Sequence, residues 1–426
     1  MARNTIVIVD GYSTARELVS ELNLRGGDCY HIQSVATPSD RLAASFDASP
    51  YRCNLGFLGT LAQAATALAE LEPYAIVAGS EPGVEYAEAL AAHMGLPTNR
   101  PDLAKARRNK FAMAQAVEAA GLSGSRQSIA HSAEEAVAWA HSQNSWPLVV
   151  KPTESAGSDG VVVCYDIEQV KAATERAISG ENLLGLQNAS ALVQTFIDGD
   201  QYFVNVVSSN SRHTVTDVWR MTLRPVAGFS NAMEDWFLVN PRDPEIAKLV
   251  GYTLSVIDAL GIANGPSVTE VRSSSQGPTL IETGARLNGP TMEREPYLAA
   301  GLHGTQASAL ADLLLKPDEF QATWIERAEC DHKAFAKSFF IFTGPGEVTS
   351  TQGLAQIQKL TSYHSMYRRL KVGDRVSKTI DTVGRGGVVY WINESASQLR
   401  ADITEFRRLD DAMELYAVSY QQEAAG

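Results

Sequence analysis

Short apolar runs that stop at turn residues alternate along this chain with stretches whose apolar positions recur every three to four residues. "TIVIVDGYSTARELVSEL" predicts a strand, a turn and an amphipathic helix, and "YAIVAGSEPGVEYAEALAAHMGL", residues 74 to 96, repeats that grammar. Together they predict a parallel sheet in roughly the first hundred residues. "LPTNRPD", with two prolines, reads as a boundary. Helices follow in "RRNKFAMAQAVEAAGL" and "HSAEEAVAWAHS", the second with Ser132 and Glu135 spaced as a capping box. Then come strands in "PLVVKP", "ALVQTFI", "QYFVNVVSS", "TVTDVWRM", "PSVTEVR" and "TLIET", interrupted by one long helix, "DPEIAKLVGYTLSVIDALG". "FAKSFFIFTGPGEV" and "GGVVYWI" supply further strands before the helical "SASQLRADITEFRRLDDAMELY". The expected class is α/β, turning α+β in the central part. We expect an N-terminal α/β domain over 1–105, a central region over 106–310 and a C-terminal α+β region over 311–426.

Length and charge narrow the function. A chain of 426 residues exceeds a comfortable single core, so two or three domains with room for an enclosed site are expected. A net charge of −13 opposes nonspecific attraction to nucleic acid or anionic membrane, so neither is an expected partner. The four cysteines, Cys29, Cys53, Cys164 and Cys330, are scattered without a C-x-x-C pair, which fits a reducing compartment. The apolar stretch Ile6 to Val9 stops at Asp10, too short for a signal-peptide core, and no run approaches a bilayer span. A cytoplasmic location is the expectation.

Local chemistry centres on "VVKPTESAGSDGVVVC", residues 149 to 164. A loop of Ser155, Ala156, Gly157, Ser158 and Gly160 has little side-chain bulk, so its amides can approach an anion closely and its hydroxyls add donors. An ordinary hairpin turn is the competing reading. No G-x-x-x-x-G-K-[ST] occurs, and no G-x-G-x-x-G follows the first strand, so neither common phosphate loop is present. Lys151 delivers the loop from its strand, and Lys110 opens a helix; each alone is most simply a solvated lysine. Glu270 and Glu282 lie in adjacent apolar strands joined by "SSSQGP", and antiparallel pairing brings both carboxylates to one edge. They are outward polar positions of a half-exposed hairpin, or a site where Mg²⁺ joins them to nucleotide phosphates.

The order of "NKFAMAQAVEAAGL", "WPLVVKPTESAGSDGV", "LVQTFIDGDQYFVNVV", "TEVR" and "IETGARLNGP" resembles the ATP-grasp carboxylate–amine ligases, and within them the L-amino-acid (dipeptide) ligases. The resemblance covers residues 1 to about 310 well and the remainder loosely. It implies the ATP-grasp fold, with ATP and Mg²⁺ as cofactors. Lys110 and Lys151 then match the phosphate contacts, with the loop from Ser155 to Gly160 closing over them. Gln194 matches the position on the adenine amino group, the backbone of Phe196 and Ile197 the adenine edge, and Gln201 the ribose position. Glu270 and Glu282 match the magnesium ligands, Arg286 the arginine that steadies the transferred phosphoryl group, and Arg220 a basic residue near the phosphates.

Three departures stand out. Gln201 replaces the usual acid, Gly284 stands where many members have a metal-binding asparagine, and Val268 where relatives often have histidine. Water is expected to complete the magnesium shell. The implied reaction joins two L-amino acids or similar substrates: a carboxylate takes the γ-phosphoryl group of ATP, and an amine attacks the acyl phosphate, giving an amide, ADP and phosphate. Specialised-metabolite or antibiotic biosynthesis is the implied setting, and relatives imply a homodimer. A ligase for another carboxylate or amine, and an inactive nucleotide-binding regulator, remain open alternatives. For substrate, Glu81 or Glu85 in "GSEPGVE" can hold an ammonium group or merely begin a helix; Asn288, Gly289 and Pro290 can line the acceptor pocket. Glu234 and Trp236 reach substrate or belong to a surface loop. His213, His303 and His364 show no metal-ligand spacing.

Overall fold

In the computed structural model, which describes residues 4–155, 159–180, 187–226, 231–289, 292–326, 332–379 and 386–420, the apolar run Thr5–Val9 is a strand with its last four residues buried. It pairs in parallel with Asp28–Gln33 on one side and Ala75–Ala78 on the other, and Cys53–Phe57 lies beyond Asp28–Gln33. The chain therefore builds outward from the first strand in one direction, then returns to add the fourth on its other flank. That reversal makes the carboxyl ends of Thr5–Val9 and Ala75–Ala78 the switch point at which open α/β sheets generally bind ligands. Helix Ala15–Leu24 buries Leu18, Val19 and Leu22 in a cluster shared with Ile6, Ile8 and Leu310.

The chain forms two units, each discontinuous in sequence: Met1–Val218 with Asn240–Arg294 and His303–Ala328, and Trp219–Val239 with Glu295–Leu302 and Glu329–Gly426. In the first, a second sheet runs antiparallel in the order Gln127–Ala130, Ala191–Thr195, Leu148–Pro152, Val162–Cys164. Strand Leu148–Pro152 is central and buried along its whole length, which is why an apolar run there tolerates a lysine only when that lysine has work inside the protein. Full burial of Leu148 or Val150 contributes roughly 1.5–3 kcal/mol each. Helices Ala133–Ser142 and Ile167–Ser179 pack on this sheet, with Ala136, Ala140, Val170 and Ala173 in its core. The capping box predicted at Ser132 is only half formed. Its side chain accepts from the Glu135 amide, but the Glu135 carboxylate accepts from His131 N, one residue earlier than the motif requires.

The predicted hairpin is present: Gly265–Ser274 pairs antiparallel with Gly277–Gly284 and, on its other side, with Asp200–Ser209. Buried Gln306, the first residue of helix Gln306–Leu315, donates to the carbonyls of Val206 and Ser267 and ties the helix to this sheet. The second unit carries strands in the order Asn231–Val239, Ala334–Phe339, Val388–Asn393, Tyr363–Tyr367, and a small sheet of Arg375–Val376, Gly346–Ser350 and Ala417–Tyr420. Helix Ala396–Asp411 adds Leu399, Ile403 and Phe406 to its core. The segment with Glu234 and Trp236 is a strand rather than a loop; Trp236 is buried and Glu234 pairs with Arg224. Among the described residues no helix is long and apolar enough to cross a membrane.

Candidate active site

Register decides the central feature. Glu270 lies directly opposite Glu282 across the hairpin, and on the neighbouring strand Phe203 faces Glu270 while Gln201 faces Arg272. Cross-strand partners share a face, so Gln201, Glu270, Arg272 and Glu282 emerge together. Thr269 and Thr283 occupy the opposite face, hydrogen-bonded to each other at 3.2 Å.

Two lysines meet this carboxylate pair. Lys110 begins helix Lys110–Ala119, whose N-cap Asn109 accepts from the amides of Phe111 and Ala112. Its Nζ lies 2.9 Å from Glu282 Oε2 and donates to the Ser155 carbonyl at 2.8 Å. Burial pulls the Lys151 ammonium down to about 8, Lys110 adds like-charge repulsion, and Glu282 and Glu270 oppose both. Burial and the facing Glu282 raise Glu270, whereas Glu282, pushed up by burial, is held below the ordinary range by Lys110 and Lys151. The pair is thus asymmetric, with Glu270 holding a proton more readily than its partner.

The loop delivered by Lys151 is described at its two ends. Ser155 is buried and its hydroxyl donates to Asp159 at 2.8 Å; Gly160 adopts φ +65°, and a Cβ there would meet the Pro152 ring at 3.0 Å. Ala156, Gly157 and Ser158 lie outside the described residues, as does Pro290. Gln194 is buried on Ala191–Thr195, beside Lys151's strand, in register with Val149. The Phe196 amide donates to the Pro147 carbonyl, and the Ile197 carbonyl accepts from Arg272 at 2.6 Å.

Arg286 follows the hairpin, and its Nε donates to Glu81 Oε2 at 2.7 Å. The other oxygen of Glu81 accepts from Arg108. Burial alone would raise Glu81, but Arg286 and then Arg108 bring it down to about 2. Glu81 therefore holds two guanidinium groups rather than an open carboxylate, a different arrangement from the ammonium site considered above. Glu85 is exposed in the first turn of helix Val84–His93, where an acid favours the helix dipole. Asn288 is buried; its amide donates to Gln306 Oε1 at 2.9 Å, and its side-chain oxygen accepts from the Gly289 amide. Arg220 belongs to the second unit, on the strand Arg212–Pro225.

One unit thus gathers five cations, Arg108, Lys110, Lys151, Arg272 and Arg286, around three carboxylates, Glu81, Glu270 and Glu282. Such a set suits an anion that arrives with a divalent cation. Among the described residues no group of three or more His, Cys, Asp or Glu could hold a metal ion. Two carboxylates on one face fit Mg²⁺ when phosphate oxygens and water complete its octahedron, and do not suit a metal held by protein alone. His213, bonded to Ser208 and Asp258, and His364, bonded to Ser365 and near Glu295, have ordinary polar partners; His303 packs edge-on against Trp324. Arg108 and Arg272 escaped sequence reasoning. Arg272 was findable, since an alternation of two from Glu270 puts it on the same face, but Arg108 read only as part of a basic helix start.

Comparisons with known proteins bear on this arrangement. Residues 144–293 match the ATP-grasp domain family. Dapdiamide A synthase of Enterobacter agglomerans is 30% identical over 420 residues, covering 96% of this chain and 96% of that protein. In fold, the chain is similar to an L-amino acid ligase from Bacillus licheniformis, with a TM-score of 0.74, 16% identity and coverage of 99% and 100%. It is also similar to an ADP complex of N5-carboxyaminoimidazole ribonucleotide synthetase, with a TM-score of 0.67, 15% identity and coverage of 96% and 98%.

Proposed function

The chain belongs to the ATP-grasp carboxylate–amine ligases, in the L-amino-acid ligase subgroup, and from that premise we propose how its residues divide the work on two amino-acid substrates. It is an ATP-dependent ligase that forms an amide bond and uses ATP with Mg²⁺. The observation that carries the assignment of residues is the facing pair Glu270 and Glu282 with Lys110 and Lys151 against it.

In this reading Lys110 and Lys151 hold the nucleotide phosphates, and Glu270 and Glu282 hold magnesium. When bound, the metal neutralises phosphate oxygens that would otherwise repel an incoming carboxylate. Arg286, aimed by Glu81, steadies the oxygens of the phosphoryl group as it passes from ADP to the substrate. A carboxylate oxygen of the first amino acid attacks the γ-phosphorus, and the bond from that phosphorus to the β–γ bridging oxygen breaks, releasing ADP. The amine nitrogen of the second then attacks the acyl carbon; the carbon–oxygen bond to phosphate breaks, and the nitrogen gives up a proton. No side chain serves as a nucleophile, so positioning and charge do the catalysis. The loop from Ser155 to Gly160 keeps water from the acyl phosphate. Gln194, Phe196 and Ile197 line the adenine, and Asn288 and Gly289 the acceptor.

Similarity to dapdiamide A synthase supports a place in specialised-metabolite biosynthesis. Two L-amino acids are the substrates, a homodimer in the cytoplasm is the expected assembly, and a net charge of −13 argues against a nucleic-acid partner. The test is phosphate release from Mg·ATP across pairs of amino acids, with mass spectrometry of the products. Amide formed in step with ADP supports the reading. ADP without amide for every pair points to another carboxylate or amine, and nucleotide binding without turnover would refute it.

A further inference from the structure

Arg272, two residues beyond Glu270, is a buried-side cation that the ligase reading leaves without a task. Its Nε donates to Gln201 Oε1 at 3.0 Å, and the Gln201 Nε2 donates in turn to Glu270 Oε1. The same guanidinium donates from its second nitrogen to the Ile197 carbonyl at 2.6 Å and lies 4.8 Å from the Phe196 ring centroid. Gln201 is itself buried. The Gln201 carboxamide is neutral, accepts from the guanidinium with its oxygen and donates towards Glu270 with its nitrogen. An acid at 201 would satisfy Arg272 but meet Glu270 as a second negative charge in contact.

We propose that Arg272 and Gln201 are positioning residues that aim the Glu270 carboxylate at magnesium and couple it to the nucleotide-lining segment Phe196–Ile197. The proposal rests on the assignment of Glu270 as a metal ligand. Arg272 fixes which end of the Gln201 amide faces Glu270, and the amide fixes the rotation of the carboxylate. Because Arg272 also grips Ile197 and Phe196, the metal ligand and the adenine-side backbone share one anchor. Gln201 thereby has a task other than replacing an acid at the ribose, which explains why glutamine is acceptable there. Supporting shells of this kind change metal affinity by 10–100-fold in other sites.

The experiment is calorimetric titration of the ligand-free protein with ADP, in Mg²⁺ and in EDTA, with no turnover involved. The quantity read is the dissociation constant in EDTA divided by that in Mg²⁺. Wild type should bind ADP more tightly with magnesium; a wild-type ratio of one would overturn the metal assignment itself. Gln201→Ala, which leaves the Arg272 contacts to Ile197 and Phe196 in place, should lower that ratio about tenfold, because a lost ribose contact weakens binding equally with and without metal and cancels in the ratio. Arg272→Met should lower the ratio similarly and also weaken binding in EDTA, and Arg272→Lys should restore part of the EDTA affinity only. An unchanged ratio in folded Gln201→Ala, with a wild-type magnesium effect, would overturn the relay and leave the ligase reading standing. Were Gln201→Ala to misfold, Gln201→Asn, too short to span both partners, serves the same comparison.

Discussion

Replacing Glu81 by glutamine tests whether Arg286 is aimed by its neighbour or merely happens to lie beside it. The change keeps size and shape but removes the charge, and one amide end then presents N–H groups to a guanidinium. All three side chains are mostly shielded, with exposures of 13% for Glu81, 8% for Arg108 and 17% for Arg286. Water therefore screens little of the loss. A carboxyl brought from 4.5 to about 2 corresponds to roughly 3 kcal/mol of preference for the ionised form in the folded protein. Breaking a buried pair from one side typically costs about 3–5 kcal/mol, so the two scales agree. We expect Glu81→Gln to lower unfolding free energy by about 3 kcal/mol at pH 7.

The sign follows from linkage. A depressed folded-state pKa stabilises the protein above pH 4.5, and the advantage is lost as pH falls towards 2. Wild type and Glu81→Gln should thus differ fully at pH 7 and converge progressively below pH 4.5 in denaturant titrations. In activity, Arg286 would lose a charge-assisted bond worth about 1.5–3 kcal/mol in orientation, which translates to a fall in kcat of roughly 10–100-fold. The amino-acid KM should rise little, because in the proposed mechanism the arginine acts on the transferred phosphoryl group. Equal stability at pH 7 together with a wild-type kcat would refute the aiming role. A large rise in the KM for one amino acid, with kcat unchanged, would instead restore Glu81 as a substrate contact.

Other outcomes follow from the same geometry. Glu282→Ala and Arg286→Ala should abolish amide formation in folded protein, read by circular dichroism alongside product mass spectrometry; wild-type rates in either would remove the site assignment. Lys151, drawn down to about 8 by burial and by Lys110, is partly neutral at pH 8.5, and bound phosphate should restore its proton. ADP binding at that pH should take up protons, seen as a dependence of calorimetric enthalpy on buffer ionisation that disappears in Lys151→Met. The lowered lysine also makes the ligand-free fold gain stability as pH rises from about 8 towards 10.5, so Lys151→Met should flatten that rise. Gly284→Ala should slow ligation several-fold with near-normal ADP binding, because its Cβ would stand 3.1 Å from Glu81 Oε2 and shift the carboxylate from Arg286.

Where the sequence was legible, periodicity and turn chemistry were the reason. The hairpin Gly265–Ser274 and Gly277–Gly284 could be read because two alternating apolar runs flank a glycine turn, and the facing of Glu270 and Glu282 followed from pairing alone. Lys151 of Leu148–Pro152, which by itself reads most simply as a solvated lysine, is buried instead, because the carboxylates that face it come from strands distant in sequence. Strand Asn231–Val239 was missed because "NAMEDWFLV" carries two acids in sequence; Asp235 sits among Arg407, Ser338 and Thr222, partners supplied by distant segments. The half-formed cap at Ser132 shows the limit of spacing rules, since the same glutamate satisfies a different amide. The clamp on Glu81 could not be read at all, for Arg108 and Arg286 lie 27 and 205 residues away.

The departures from the family pattern then acquire local causes. An asparagine at 284 would add a side chain where the Glu81 carboxylate already stands, so the glycine and the two-arginine clamp belong together. An acid at 201 would oppose Glu270, so the glutamine and Arg272 belong together. In each case the residue that departs from the pattern leaves room for, or bonds to, a neighbouring charged group: Glu81 beside Gly284, and Arg272 and Glu270 beside Gln201. A site that had merely lost function would have no reason to bury Gln201, Lys151 and the Glu81 clamp at the same time. On the proposed assignment the shared consequence is a magnesium site with fewer protein ligands and better-fixed ones, so that turnover would depend on the precision of Glu270 and Arg286.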